Sequence, residues 1–147
     1  MLSNTSKYAL RAVIYLAMHE EDGKKIGIKQ IAKDLSIPSP FLGKILQSLA
    51  RHKLLASTKG PNGGFSLGRK AEEISLLDVV EIVDGLDSFN ECLLGLNICG
   101  GNADKHDICP MHKTSDSLRV DLVELFKGNT VAQIAKDLNK LGNLLQL

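Results

Sequence analysis

Between Ile28 and Leu67 the chain carries two short helical stripes, a break between them, and a pair of extended runs closed by glycines. Ile28, Ile31, Ala32 and Leu35 recur at i, i+3, i+4 and i+7, the spacing of an amphipathic helix. Ser36, Ile37 and Pro38 interrupt it, because the residue before a proline is pushed out of the α region. A second helix is expected with Ser39 as N-cap and Pro40 in its first turn. Its apolar stripe is Leu42, Ile45, Leu46 and Leu49. Pro40, Lys44, Gln47 and Arg51 fall on the opposite face, with Ser39 and Phe41 near the N-terminal end. That face is polar and basic and carries no acid. A helix of this kind can enter a DNA major groove N-terminus first.

Leu54–Lys59 and Gly64–Leu67 read as short strands joined by Gly60-Pro61-Asn62-Gly63, residues that tolerate the backbone angles of a tight turn. Two helices followed at once by such a hairpin make a winged helix. Lys59 at the hairpin tip can approach a phosphate or the minor groove, with Asn62 and Gly63 beside it as candidate contacts. The same pattern without DNA would be an αα-hairpin packed in a core, or a module that binds another protein.

Charge separates these readings. The net charge of +1 over 147 residues is uninformative, but its distribution is not. Residues 1–70 hold twelve Lys and Arg against four Asp and Glu, a net +8, and residues 71–147 carry −7. A basic half joined to an acidic half points to a phosphate-facing module with a second part attached. No run of 18 apolar residues is present, and the N-terminus lacks the ordered regions of a signal peptide, so a cytoplasmic protein without a membrane partner is expected. Three cysteines in a reducing compartment do not form a disulfide framework.

Before the winged helix, Asn4-Thr5-Ser6 are candidate caps for a helix over about Lys7–Glu20. Its residues from Tyr8 to Met18 are apolar nearly all round, which predicts burial against both its own domain and a partner subunit. After the hairpin, Ser75 with Asp78 reads as a capping box ahead of Leu76, Val79, Val80 and Val83, and Gly85 stands where a helix ends. Helical periodicity then lapses from Leu86 to His112, a stretch holding Cys92, Cys99 and Cys109. Thr114 or Ser115 is the expected cap of a helix with Leu118, Leu122, Leu125 and Phe126 on one face. Val120 and Val123 widen that face into a subunit contact. A last helix follows from Thr130, with Val131, Ile134, Ala135, Leu138 and Leu141 in register.

The wing run Lys59-Gly60-Pro61-Asn62-Gly63-Gly64-Phe65-Ser66-Leu67, the helix start Ile74-Ser75-Leu76 and the cysteine loop ending Cys109-Pro110-Met111-His112 resemble the Rrf-two family of bacterial winged-helix transcription regulators. That family includes IscR-like and NsrR-like repressors. The resemblance covers nearly the whole chain. It implies a mainly α protein with a small β-hairpin: a winged-helix DNA-binding domain over 1–85, a cysteine loop over 86–112, and a dimerisation helix with a C-terminal helix over 113–147. It also implies a homodimer on a roughly palindromic double-stranded DNA operator, and an iron–sulfur cluster of the two-iron two-sulfur type on the three cysteines. IscR-like proteins add a histidine three residues after the last cysteine, where this chain has His112, whereas NsrR-like proteins use an N-terminal acid where it has Tyr8. Those relatives place five residues between successive cysteines; here there are six between Cys92 and Cys99 and nine between Cys99 and Cys109.

Chemistry leaves the loop open to four readings. Cys92, Cys99, Cys109 and His112 can hold an iron–sulfur cluster, or a zinc ion in a four-coordinate site. The thiols can act alone as redox sensors, with Lys105, His106 or His112 lowering a cysteine pKa. Or the loop is packing only. A regulator without metal, sensing through thiols or a partner protein, is therefore the alternative to a cluster protein. An enzyme is the competing class, resting on Cys109 and His112 at i, i+3 as a thiolate–imidazole pair. Nothing else in the sequence supplies a cleft, an oxyanion donor set or a third orienting group.

Overall fold

The computed structural model describes residues 2–20, 24–94 and 110–142. Six α-helices and one hairpin make up the regular structure of these residues. Helix α1 spans Asn4–Met18, α2 Ile28–Leu35 and α3 Ser39–Arg51. Strands β1 (Leu55–Thr58) and β2 (Gly64–Leu67) follow, then α4 (Leu76–Val83), α5 (Pro110–Gly128) and α6 (Val131–Leu141). Single 3-10 turns stand at Ala71–Glu73 and Leu86–Phe89.

Helix α1 starts earlier than its sequence suggests. Ser3, in an extended conformation, is the cap, and its hydroxyl accepts the Ser6 N–H at 3.0 Å. The same residue ties the N-terminus to α4, its hydroxyl donating to the Asp84 carboxylate at 2.6 Å. Ala9, Ala12, Val13, Tyr15 and Leu16 are buried, and the chain itself covers them, with α6, α4, α3 and α2 all packed on α1. The C-terminal helix returns to cover much of α1 within the chain, while Tyr8, Leu10, Ala17 and Met18 stay half-buried. Val131 and Ala135 of α6 sit in the same core as Val13 and Leu46.

Helix α3 is not capped by Ser39. Pro38 is the N-cap residue without a side-chain bond, so Ser39 and Pro40 are the first two helical residues. Proline suits this turn because the N–H it lacks has no helical partner there. Leu42, Ile45, Leu46 and Leu49 are buried as expected.

The hairpin pairs Leu55 with Leu67 and Thr58 with Gly64. Ile26 adds a third, one-residue strand by antiparallel exchange with Phe65, at 2.9 and 2.8 Å. Gly64 makes this possible, since at φ +152° a Cβ would lie 2.4 Å from the Ile26 carbonyl oxygen. A second bridge, Ser75 to Thr130, clips the α5–α6 junction to the start of α4. The Ser75–Asp78 capping box forms, with Asp78 N–H to Ser75 Oγ at 3.1 Å and Ser75 N–H to the Asp78 carboxylate at 2.8 Å.

Helix α5 is already helical at Pro110, so His112 stands in a helix and not in an irregular loop. Thr114 and Ser115 are not caps. Their hydroxyls bond back to the carbonyls of Pro110 and His112, at 2.9 and 3.2 Å.

Candidate functional site

The candidate DNA interface is the outer side of α3 together with the wing, whose β1 packs on α3. Pro40, Phe41, Lys44, Gln47 and Arg51 are exposed, and Ser39 is half-buried. Lys59 and Asn62 are exposed in the turn that joins β1 to β2, with Gly63 half-buried between them and β2. The turn is closed by the Gly63 N–H to the Gly60 carbonyl at 2.9 Å. This face carries three cationic side chains, and no acid stands among the predicted residues. Phe41 is only partly free: Tyr8 of α1 meets its ring edge-on at 5.7 Å, and the Arg11 guanidinium lies 5.6 Å from the Tyr8 ring centre. Arg11 also donates to the Leu35 carbonyl at 2.7 Å, so α1 braces the turn between α2 and α3.

A polar network on α1 and α2 was not legible beforehand. Tyr15 donates its hydroxyl to Asp34 at 2.6 Å, and Gln30 donates to both Asp34 oxygens at 2.8 and 2.9 Å. Bonds from Gln30 and then Tyr15 hold the Asp34 carboxyl below its ordinary pKa. Burial, then the Asp34 bond and charge, pushes the Tyr15 phenol upward. The Gln30–Asp34 spacing of four was a visible signal, but Tyr15 lies 19 residues away and only tertiary packing brings it there.

The second predicted site is partly described. Cys92 is half-buried, whereas Cys99 and Cys109 lie outside the described residues. Among the described residues no group of three His, Cys, Asp or Glu side chains is gathered as for a metal ion. His112 is 2% exposed, and its Nε2 lies 3.2 Å from the Asn90 carbonyl oxygen. Arg119, seven residues further along α5, donates to the Glu91 carbonyl at 2.9 Å. Both side chains therefore grip the backbone just ahead of Cys92, a contact no sequence pattern announced.

The family model Rrf2, described as an iron-dependent transcriptional regulator, matches residues 2–137. The chain belongs to the Rrf2 family. A protein of Aquifex aeolicus named as an HTH-type transcriptional regulator is 33% identical over 134 residues, covering 91% of this chain and 90% of that one. Two solved structures share the fold. T. potens IscR superposes with a TM-score of 0.73 at 20% identity, over 97% of this chain and 91% of that chain. CymR of B. subtilis, described as its global cysteine regulator, gives 0.71 at 22% identity, over 92% and 96%. This Rrf2 chain is thus a winged-helix transcriptional regulator, and the enzyme alternative falls to the character of its relatives. No described helix is long and apolar enough to cross a membrane.

Proposed function

We propose that this Rrf2-family regulator is a homodimer that reads a roughly palindromic operator with α3 and grips the flanking backbone with its wing. An iron–sulfur cluster, or the redox state of the cysteine segment, sets its operator affinity. The observation that carries the DNA-reading part is the acid-free outer face of α3, with exposed Lys44, Gln47 and Arg51, beside the wing turn bearing Lys59 and Asn62. Ser39, Pro40 and Phe41 lead the helix into the groove, and Gly63 lets the wing backbone come close.

The dimer reading is supported by α5. Met111, Leu118 and Leu125, spaced by seven, are 38, 67 and 57% exposed, an apolar stripe of the kind two helices bury against each other.

The cluster reading is supported by the donor chemistry. Thiolates and imidazole suit iron–sulfur centres, and His112 is buried with Nε2 facing a backbone carbonyl. When Nε2–H donates to that carbonyl, the lone pair stands on Nδ1, the arrangement typical of a histidine ligand. Cys92, Cys99, Cys109 and His112 would hold the cluster, which supplies electron-transfer chemistry when bound. The absorption spectrum of protein purified without oxygen tests this part. Charge-transfer bands are expected, and a colourless sample that takes up no iron and sulfide leaves the metal-free regulator instead.

For the DNA-reading part, Lys44→Ala and Lys59→Ala should each weaken duplex binding while leaving the assembly state intact. Each should make the dependence of log affinity on log salt shallower by about 0.9, the value of one lost phosphate contact. Unchanged affinity and slope in both variants would remove this face as the DNA interface.

A further inference from the structure

Beside the wing, the segment leading into α2 forms one wall of a groove that the sequence did not single out. Lys24, Lys25 and Gly27 line one side, and Thr58, Asn62 and Gly63 of the wing line the other, around about 610 Å³. The two walls are tied together. Ile26 exchanges both backbone hydrogen bonds with Phe65, so Lys25 and Gly27 are carried at a fixed distance from the wing turn. The Lys25 ammonium donates to the Thr58 hydroxyl, which draws its charge across the groove toward the hairpin. Among the described residues, two ammonium groups and no carboxylate line it. Asp34 of α2 lines a neighbouring cavity that Lys24 and Lys25 also border, and its carboxylate is engaged there by Tyr15 and Gln30.

A groove with two cations, a side-chain amide and glycine backbone suits a phosphodiester better than an apolar ligand. Asn62 and Gly63 belong both to this groove and to the wing turn that the DNA-binding reading assigns to the operator's flank. A backbone strand that meets the wing tip therefore runs on toward Lys24 and Lys25.

We propose that Lys24 and Lys25, held against the wing by the Ile26–Phe65 bridge, form a second clamp on the sugar–phosphate backbone of duplex DNA. It adds affinity independent of base sequence. The proposal rests on the DNA-binding reading above.

The test uses the full-length protein and a mixed-sequence duplex of about 30 base pairs, titrated between 50 and 200 mM salt. Each of Lys24→Ala and Lys25→Ala should lower the slope of log affinity against log salt by about 0.9, and the double variant by about 1.8. The parent's advantage over the double variant should then shrink roughly tenfold across that salt range. Lys25→Arg keeps the charge and should keep the slope. Lys136→Ala, which removes one exposed charge from α6, should leave it unchanged. If Lys44→Ala weakens binding while Lys24→Ala, Lys25→Ala and the double variant keep the parent slope, the clamp is refuted and the DNA-binding reading stands. If Lys44→Ala and Lys59→Ala also bind like the parent, both are refuted. Thermal melting of each variant separates loss of fold from loss of contact.

Discussion

Asp34 accepts hydrogen bonds from a buried tyrosine and from a glutamine one turn earlier on its own helix. Both donors prefer the ionised carboxyl, which is why its pKa lies below the ordinary 3.8. In the unfolded chain that preference is lost, so the unfolded state takes up the proton first as acid is added. The contribution to stability is therefore fully present above about pH 4 and fades as pH falls through the folded-state value. Tyr15→Phe removes the hydroxyl and keeps the ring, and should cost about 1–2 kcal/mol at neutral pH. Urea unfolding from pH 7 to pH 3 should show parent and variant converging toward the acid end. A constant difference across that range would mean that the loss comes from ring packing and not from the carboxylate. The same pair braces α1 against α2, the helix that supports α3.

Among the elements, α5 differs most from its neighbours. Helices α1 to α4 and α6 bury an apolar face within the chain, whereas α5 buries only His112 and Ser115 completely. Phe126 is held edge-on by Phe89 at 5.7 Å, and Leu122 and Val123 are half-buried, so one side of α5 is anchored to the chain. Met111 and Leu118 stand on the open side with Leu125. Leu118→Asp and Leu125→Asp should therefore convert a dimer into a monomer without unfolding it, because neither side chain is part of the core. Light scattering at micromolar concentration should give the mass of two chains for the parent and one for the variants. One chain for the parent would refute the dimer. Monomers should bind DNA poorly, since a palindrome rewards two recognition helices about one helical turn, roughly 34 Å, apart.

On the scale of the whole molecule, the described residues tie the C-terminal helices to the rest of the chain at several places. Helix α6 packs on α1, the Ser75–Thr130 bridge fastens the α5–α6 junction to α4, and His112 and Arg119 of α5 hold the carbonyls of Asn90 and Glu91. The last of these grips the two residues immediately ahead of Cys92. A group that gathers Cys92, Cys99, Cys109 and His112 would act on α5 directly, and through α5 on the spacing of the two recognition helices. A ligand shifts such an equilibrium only by its differential affinity for the two arrangements, and tenfold corresponds to about 1.4 kcal/mol. Operator affinity is accordingly expected to differ between cluster-loaded and empty protein, with Cys99→Ala behaving as empty under both conditions. His112→Ala should weaken loading without abolishing it, since water can take the fourth position. Equal affinity of the parent and Cys99→Ala, before and after anaerobic reconstitution with iron and sulfide, would reduce the segment to packing.

Local physics made much of this chain readable. The 3.6-residue stripes of α2, α3, α4 and α6, the capping box at Ser75 and the Gly-Pro-Asn-Gly turn each depend on near neighbours, and the structure carries each of them. The polar, acid-free face of α3 followed from its buried stripe, because a helix buried on one side leaves the other to solvent. Helix ends were less legible: Ser3 and Pro38 compete with adjacent residues of similar capping or first-turn preference. What joins distant segments lay beyond any local pattern. Helix α6 covering α1, Tyr15 reaching Asp34, Ile26 joining the wing, and Arg119 gripping Glu91 are separated by tens of residues. Apolar periodicity states that a face must be buried; only the three-dimensional arrangement decides whether its own chain or a second copy does the covering. That is why much of α1 is covered by its own chain while the stripe on α5 is left exposed.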